Sequence, residues 1–125
     1  MTVTDTAINS SPGPEIEFED PLISARRAVS ELESRSTHLK VALTHLPLAQ
    51  DEALARAVPL HVILGGHDHE PMAVQVGGTL ITKAGSDAQN LVRIDYEIGG
   101  KARPLVRRHQ MIPVTPSIPD APAMS

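Results

Sequence analysis

Residues 41–69 read VALTHLPLAQDEALARAVPLHVILGGHDH, and the alternation of apolar runs and polar breaks in this stretch decides the fold. Leu39-Lys40-Val41-Ala42-Leu43 is a short run with strand character that ends at Thr44-His45. A helix follows, opened by Gln50 or Asp51, with Glu52 favoured near the positive end of the helix dipole. Leu54, Ala55, Ala57 and Val58 give that helix its apolar side, and Pro59 stops it. His61-Val62-Ile63-Leu64 then forms a second buried strand, broken by Gly65-Gly66. Strand, short helix, strand at this spacing is a βαβ unit, whose two strands run parallel.

Working outward, Asp20 and Pro21 suit the cap and first position of an upstream helix. Leu22, Ile23, Ala25, Val29 and Leu32 recur at helical spacing to about Ser34, and Arg26, Arg27, Glu31 and Glu33 fall on its solvated side. Downstream, Met72–Val76, Thr79–Lys83, Leu91–Ile98 and Pro104–Ile112 alternate at period two, with turns at Gly77-Gly78 and Gly99-Gly100. These predict meandering antiparallel strands. Residues 1–16 are polar and rich in turn formers, which predicts a flexible lead. Residues 17–112 form the ordered part, and the Pro-rich tail 113–125 is expected to be extended.

The chain has 125 residues and a formal charge of −4, enough for one small domain and no basis for expecting nucleic-acid or membrane-surface partners. Its 41 % hydrophobic and 2 % aromatic content means that Val, Ile, Leu and Ala must build the core. Without cysteine, disulfides, thiolate ligands and thiol catalysis are excluded, so a metal here needs His, Asp, Glu or Asn. No apolar run is long enough for a membrane span and no signal peptide is visible, so the expectation is a cytoplasmic protein.

Both strands of the βαβ unit end in histidine, His45 on the first and His67 and His69 on the second. Ligands of open α/β sheets gather at the carboxyl ends of strands. Neighbouring strands lie about 4.8 Å apart, so His45 and His67 could share one ion at about 2.0–2.1 Å per nitrogen. In extended backbone His67 and His69 point to one side. Gly65 and Gly66 carry no side chains to obstruct the approach and tolerate unusual backbone angles. Asp68 reads either as a partner that orients an imidazole or as a turn former. Thr44 reads as a satisfied strand-end hydroxyl or a support for the site, Asp51 as a helix cap, and His38, His61 and His109 as surface or strand-edge residues.

Taken together, the strand-end Thr44-His45, the Gly66-His67-Asp68-His69 loop and the stretch Thr79-Leu80-Ile81-Thr82-Lys83-Ala84-Gly85 resemble the C-terminal half of calcineurin-like metallophosphoesterases, in their 5′-nucleotidase-like branch. The resemblance runs from Phe18 to about Ile112. It implies an α/β fold, a partial αββα sandwich in which the βαβ unit is followed by antiparallel strands. It also implies that His45 and His67 serve the second of two divalent ions (Mn, Fe, Zn or Ni) and His69 the first. Such ions, about 3.5–4 Å apart, clamp a phosphoester and supply a hydroxide near neutral pH. The substrate implied is a phosphomonoester or nucleotide. This chain departs from the family in having no Asp-x-His, no Gly-Asp-x-x-Asp and no Gly-Asn-His, all motifs of the family's N-terminal half. Two or three histidines without the bridging carboxylate bind divalent ions weakly, Zn or Ni better than Mn. Two roles follow: a hydrolase incomplete as a single chain, or a non-catalytic half-domain that binds metal weakly, or pairs with a separate N-terminal half or another copy.

Overall fold

The computed structural model describes residues 11–98 and 105–119. Helix α1 spans Pro21–Ser34, followed by strand β1 (Val41–Thr44), helix α2 (Leu48–Ala57), and strands β2 (Val62–Gly65), β3 (Pro71–Val76), β4 (Thr79–Ala84), β5 (Asn90–Glu97) and β6 (Leu105–Pro113). Residues 11–20 and 114–119 carry no helix or strand. The Gly99-Gly100 turn and the terminal segments 1–10 and 120–125 lie outside the described residues.

Helix α1 starts where the sequence places it. The Asp20 carboxylate accepts the backbone N–H of Leu22 at 2.8 Å and of Ile23 at 3.2 Å, and Pro21 occupies the first turn, where its missing N–H costs nothing. Helix α2 begins at Leu48, earlier than Gln50 or Asp51, behind Pro47, which offers no capping side chain. Asp51 therefore lies inside the helix, fully buried, and is not the cap that the sequence suggests.

Four strands form one sheet in the order β1-β2-β4-β3, and β5 and β6 form a separate antiparallel pair. The parallel pairing of β1 with β2 sets Thr44 opposite Gly65. Strand β4 pairs parallel to β2, with Gly65 opposite Lys83, and antiparallel to β3. The expected antiparallel pairing holds within β3–β4 and β5–β6, but the strands do not run on as one meander. The β3–β4 hairpin folds back so that β4 enters the sheet beside β2, because Leu80 and Ile81 bury on both faces only in a central position.

On one face, Ile63 and Ile81 sit side by side and pack under Val29, Leu54, Val58 and Leu60 of the helical layer. Each fully buried aliphatic side chain contributes about 1.5–3 kcal/mol. On the other face, Val62, Leu80 and Thr82 are buried where β5 packs against β4. Hydrogen bonds tie the β5–β6 pair to the larger sheet, from the Asn90 amide to Ala84 O (3.2 Å) and from the Tyr96 hydroxyl to the O of His61, just before β2 (3.2 Å). His61 is buried, not at the surface: its Nδ1 accepts the Lys40 N–H at 2.9 Å. Toward β1 the cover ends, and Val41, Leu43 and Leu64 are exposed. No helix among the described residues is long and apolar enough to cross a membrane.

Candidate functional site

Strands β1 and β2 are parallel neighbours, so their carboxyl ends deliver His45 and His67 to the same edge of the sheet. The two imidazole rings meet edge to face, with centroids 5.5 Å apart and planes at 86°. The loops that carry them are joined by the Gly66 N–H donating to Thr44 O at 2.9 Å. His45 lies directly over Gly66: a Cβ there would come within 2.9 Å of His45 Nδ1, which only glycine avoids.

The unusual backbone angle in this loop belongs to His67 rather than to a glycine. His67 has φ of +71°, and Asp68 N donates to Gly66 O at 2.9 Å across it. This is a three-residue γ-turn with positive φ at its centre, rare and strained for a residue with a side chain. The chain here is therefore not extended at His67, and the strand alternation behind the expected common side of His67 and His69 does not apply. His69 is exposed, and among the described residues the ring-to-ring contact is that of His45 with His67. Thr44 Oγ1 is buried without a hydrogen-bond partner among the described residues, which overturns its reading as a satisfied hydroxyl.

Beneath both loops lies a residue that sequence reasoning missed. Lys83 Nζ, wholly buried, stands 2.6 Å from Leu46 O, 2.7 Å from Asp51 Oδ2, 2.8 Å from Gly66 O and 2.9 Å from Asp68 Oδ2. An ammonium has three N–H groups. Two are directed at the carbonyls, while the carboxylate oxygens sit at ion-pair distance without a directed hydrogen bond, and Asp51 Oδ1 has no partner among the described residues. Lys83 holds the Asp68 carboxyl below the usual carboxylate range, and the backbone N–H of Leu48 adds to that effect. Strand β2 crosses the pair so closely that a Cβ on Gly65 would fall 2.8 Å from Asp51 Oδ2 and 2.9 Å from Lys83 Nζ. Gly65 thus makes room for an ion pair, where the sequence suggested room for a metal.

The signal for this arrangement was present. Asp51 occupies the apolar stripe of α2 with Leu48 and Leu54, and an acid on a buried stripe needs a buried cation.

Two imidazoles are donors that borderline divalent ions accept. Behind them Asp51 and Asp68 face one ammonium, leaving an excess of negative charge that favours a cation. Among the described residues, however, no three His, Cys, Asp or Glu side chains are gathered where one ion could bind. The donors fit part of a coordination sphere and not the whole of one. An open cleft of ≈ 370 Å³ lies alongside, lined by Leu43, Leu64, Gly66, Thr82, Ala84 and Val92.

No family model matches the chain. It is 34 % identical over 108 residues to the trifunctional nucleotide phosphoesterase YfkN of Bacillus subtilis, a match that takes in 81 % of this chain and 7 % of that protein. It is 31 % identical over 67 residues to the snake venom 5′-nucleotidase of Crotalus adamanteus, over 53 % of this chain and 11 % of the relative. Among solved structures it is similar to a Staphylococcus aureus protein solved as a candidate 5′-nucleotidase (TM-score 0.62, 12 % identity, 86 % of this chain and 25 % of that one). It is also similar to the sulfate thiohydrolase SoxB of Thermus thermophilus (TM-score 0.58, 24 % identity, 71 % and 16 %). The chain thus spans a quarter or less of each of these proteins, and the two structural likenesses speak to the fold alone.

Proposed function

Because the chain is part of a 5′-nucleotidase-like metallophosphoesterase domain, we propose that it supplies the histidine share of a metal centre that hydrolyses phosphoesters, with nucleotides as the substrate class. The observation that carries this reading is the meeting of His45 and His67, brought from two separate strand tips to one edge-to-face contact. The names of the B. subtilis and C. adamanteus relatives, a nucleotide phosphoesterase and a 5′-nucleotidase, support the substrate class.

In this role His45 and His67 hold one divalent ion through ring nitrogens, and His69 serves a second. Asp68 and Thr44 support the loops that present them. The ions, when bound, polarise the phosphoryl group and activate water. A lone pair of imidazoles leaves such an ion short of ligands. The centre is therefore completed by groups from outside the described residues, such as a separate segment like the family's N-terminal half. A narrower reading, a half-domain that binds metal without catalysing, is favoured by the meeting of two imidazoles rather than a full ligand set among the described residues.

Calorimetric titration of the 125-residue chain with Zn²⁺, Ni²⁺ and Mn²⁺ tests the binding, and phosphate release from a nucleoside monophosphate tests the chemistry. The expected result is weak binding in the order Zn or Ni above Mn, lost in His45→Ala and His67→Ala, with phosphate release no faster than metal alone. Tight, histidine-independent binding or none at all overturns the reading. Mn²⁺-dependent hydrolysis by the chain by itself overturns only its incompleteness.

A further inference from the structure

We infer that Lys83 is the positioning residue of the histidine pair: one buried ammonium fixes both loops and sustains the strained turn at His67. The inference rests on the proposed role of that pair. Lys83 grips the chain on either side of the candidate ligands. It holds the carbonyl of Leu46, the residue after His45, and the carbonyl of Gly66, whose peptide bond leads into His67. It also pairs with the carboxylate of Asp68, the residue after His67, and with Asp51 in α2. Four segments, the β1–α2 loop, α2, the loop after β2 and β4 itself, thus converge on a single nitrogen.

The Gly66 carbonyl accepts from two donors, Lys83 Nζ and Asp68 N, and the second of these closes the γ-turn around His67. A residue held at positive φ persists only where its surroundings over-determine it. Lys83 supplies that constraint twice, at the carbonyl before His67 and the carboxylate after it. A charge placed 0 % exposed among dipoles and carboxylates is costly compared with an apolar side chain of the same volume. The same loop architecture could be packed with methionine if packing were all that was needed. With no exposed atom at its tip, Lys83 cannot touch substrate, so its influence passes through the histidines.

The test must separate positioning from folding. Removing Lys83 by itself strands Asp51 in the interior. The decisive variant is therefore Asp51→Leu/Lys83→Met, which replaces the pair with apolar side chains and is expected to melt cooperatively near the parent temperature. The readouts are the cross-ring NOE between His45 and His67 in the metal-free chain and the Ni²⁺ affinity by calorimetry. Loss of the NOE together with an affinity lower by on the order of tenfold is expected. A folded double variant that keeps the NOE and binds Ni²⁺ like the parent overturns the inference. Should the double variant not fold, Asp68→Asn decides, since it keeps the Lys83–Asp51 pair and removes one grip. A weakened NOE is then expected, and an unchanged one overturns the inference. If the parent shows the NOE and the variants lose it while no chain binds Ni²⁺, the metal reading fails and the positioning role stands. If parent and double variant keep the NOE and bind Ni²⁺ alike, the positioning role fails and the metal reading stands.

Discussion

The two faces of the four-stranded sheet are finished to different degrees. On the helix side Ile63 and Ile81 are 0 % exposed, and even an ammonium, that of Lys83, is enclosed and surrounded by acceptors. On the opposite side the β5–β6 pair covers β4 and the start of β2, but along β1 the cover stops and Leu43 is 86 % exposed. A leucine is worth a great deal where the cover reaches it, as at Leu80, and almost nothing where the cover stops, as at Leu43. Stability of this chain therefore concentrates in the layer between helices and sheet, and the histidine loops grow out of that layer, anchored by Lys83. The strip along β1 contributes little to holding the fold and much to what the chain can stick to.

The largest effect that can break this contrast comes from its charged centre. Lys83→Met without compensation leaves the Asp51 carboxylate buried and unpaired, which costs about 3–5 kcal/mol. A chain of this size is expected to lose most of its stability by that change, read as a collapse of the urea midpoint. A midpoint within about 0.5 kcal/mol of the parent would mean that the enclosed ion pair is not a structural centre.

Next come two matched truncations. Ile63→Ala, on the helix face, is expected to lower stability by about 2–5 kcal/mol through lost burial and a residual cavity. Leu43→Ser, on β1, should change it by less than about 0.5 kcal/mol, because little area is removed from water in the folded state. The serine variant should also self-associate less at high concentration, visible in sedimentation, since an exposed edge strand with apolar side chains invites pairing. Equal losses at the two positions would erase the distinction between the faces.

Much of this arrangement could be read from residues alone, and the reasons for the rest are physical. The second strand of the βαβ unit and the start of α1 were legible because Val62-Ile63-Leu64 and the Asp20-Pro21 cap are local signals, complete within a few residues. The convergence of His45 and His67 followed from strand order once the strands were parallel neighbours. The partner of β4 was not legible: period-two alternation marks a strand but not its neighbour, and the pairing with β2 is long-range. Lys83 was hidden for a related reason. In Thr79-Leu80-Ile81-Thr82-Lys83 nothing local marks the lysine, a residue type that is mostly exposed, as enclosed, while all five residues are buried. The turn at His67 went unread because two glycines precede it and glycine usually takes the positive φ.

The smallest expected effect comes from outside both faces, where the same chemistry as the Lys83 centre operates in water. Arg27 meets Glu19 with two contacts, 2.6 Å and 2.7 Å, and the Ser24 hydroxyl also reaches that carboxylate. Arg27 first, and Ser24 after it, holds the Glu19 carboxyl below its ordinary range. A carboxyl depressed in the folded state adds stability above its unfolded value, and that stability is lost as pH falls through the folded one. Glu19 and Arg27 stand in solvent, so salt screens the pair and the side-chain entropy of holding it offsets most of the attraction. Arg27→Ala should accordingly raise the Glu19 titration midpoint toward the usual glutamate range, followed by carboxyl-carbon NMR, with no measurable change in melting temperature at neutral pH. If the midpoint stayed low without the guanidinium, Ser24 rather than Arg27 would be its main cause. If the melting temperature fell as it does for Ile63→Ala, burial would not be what separates the strong contacts of this chain from the weak ones.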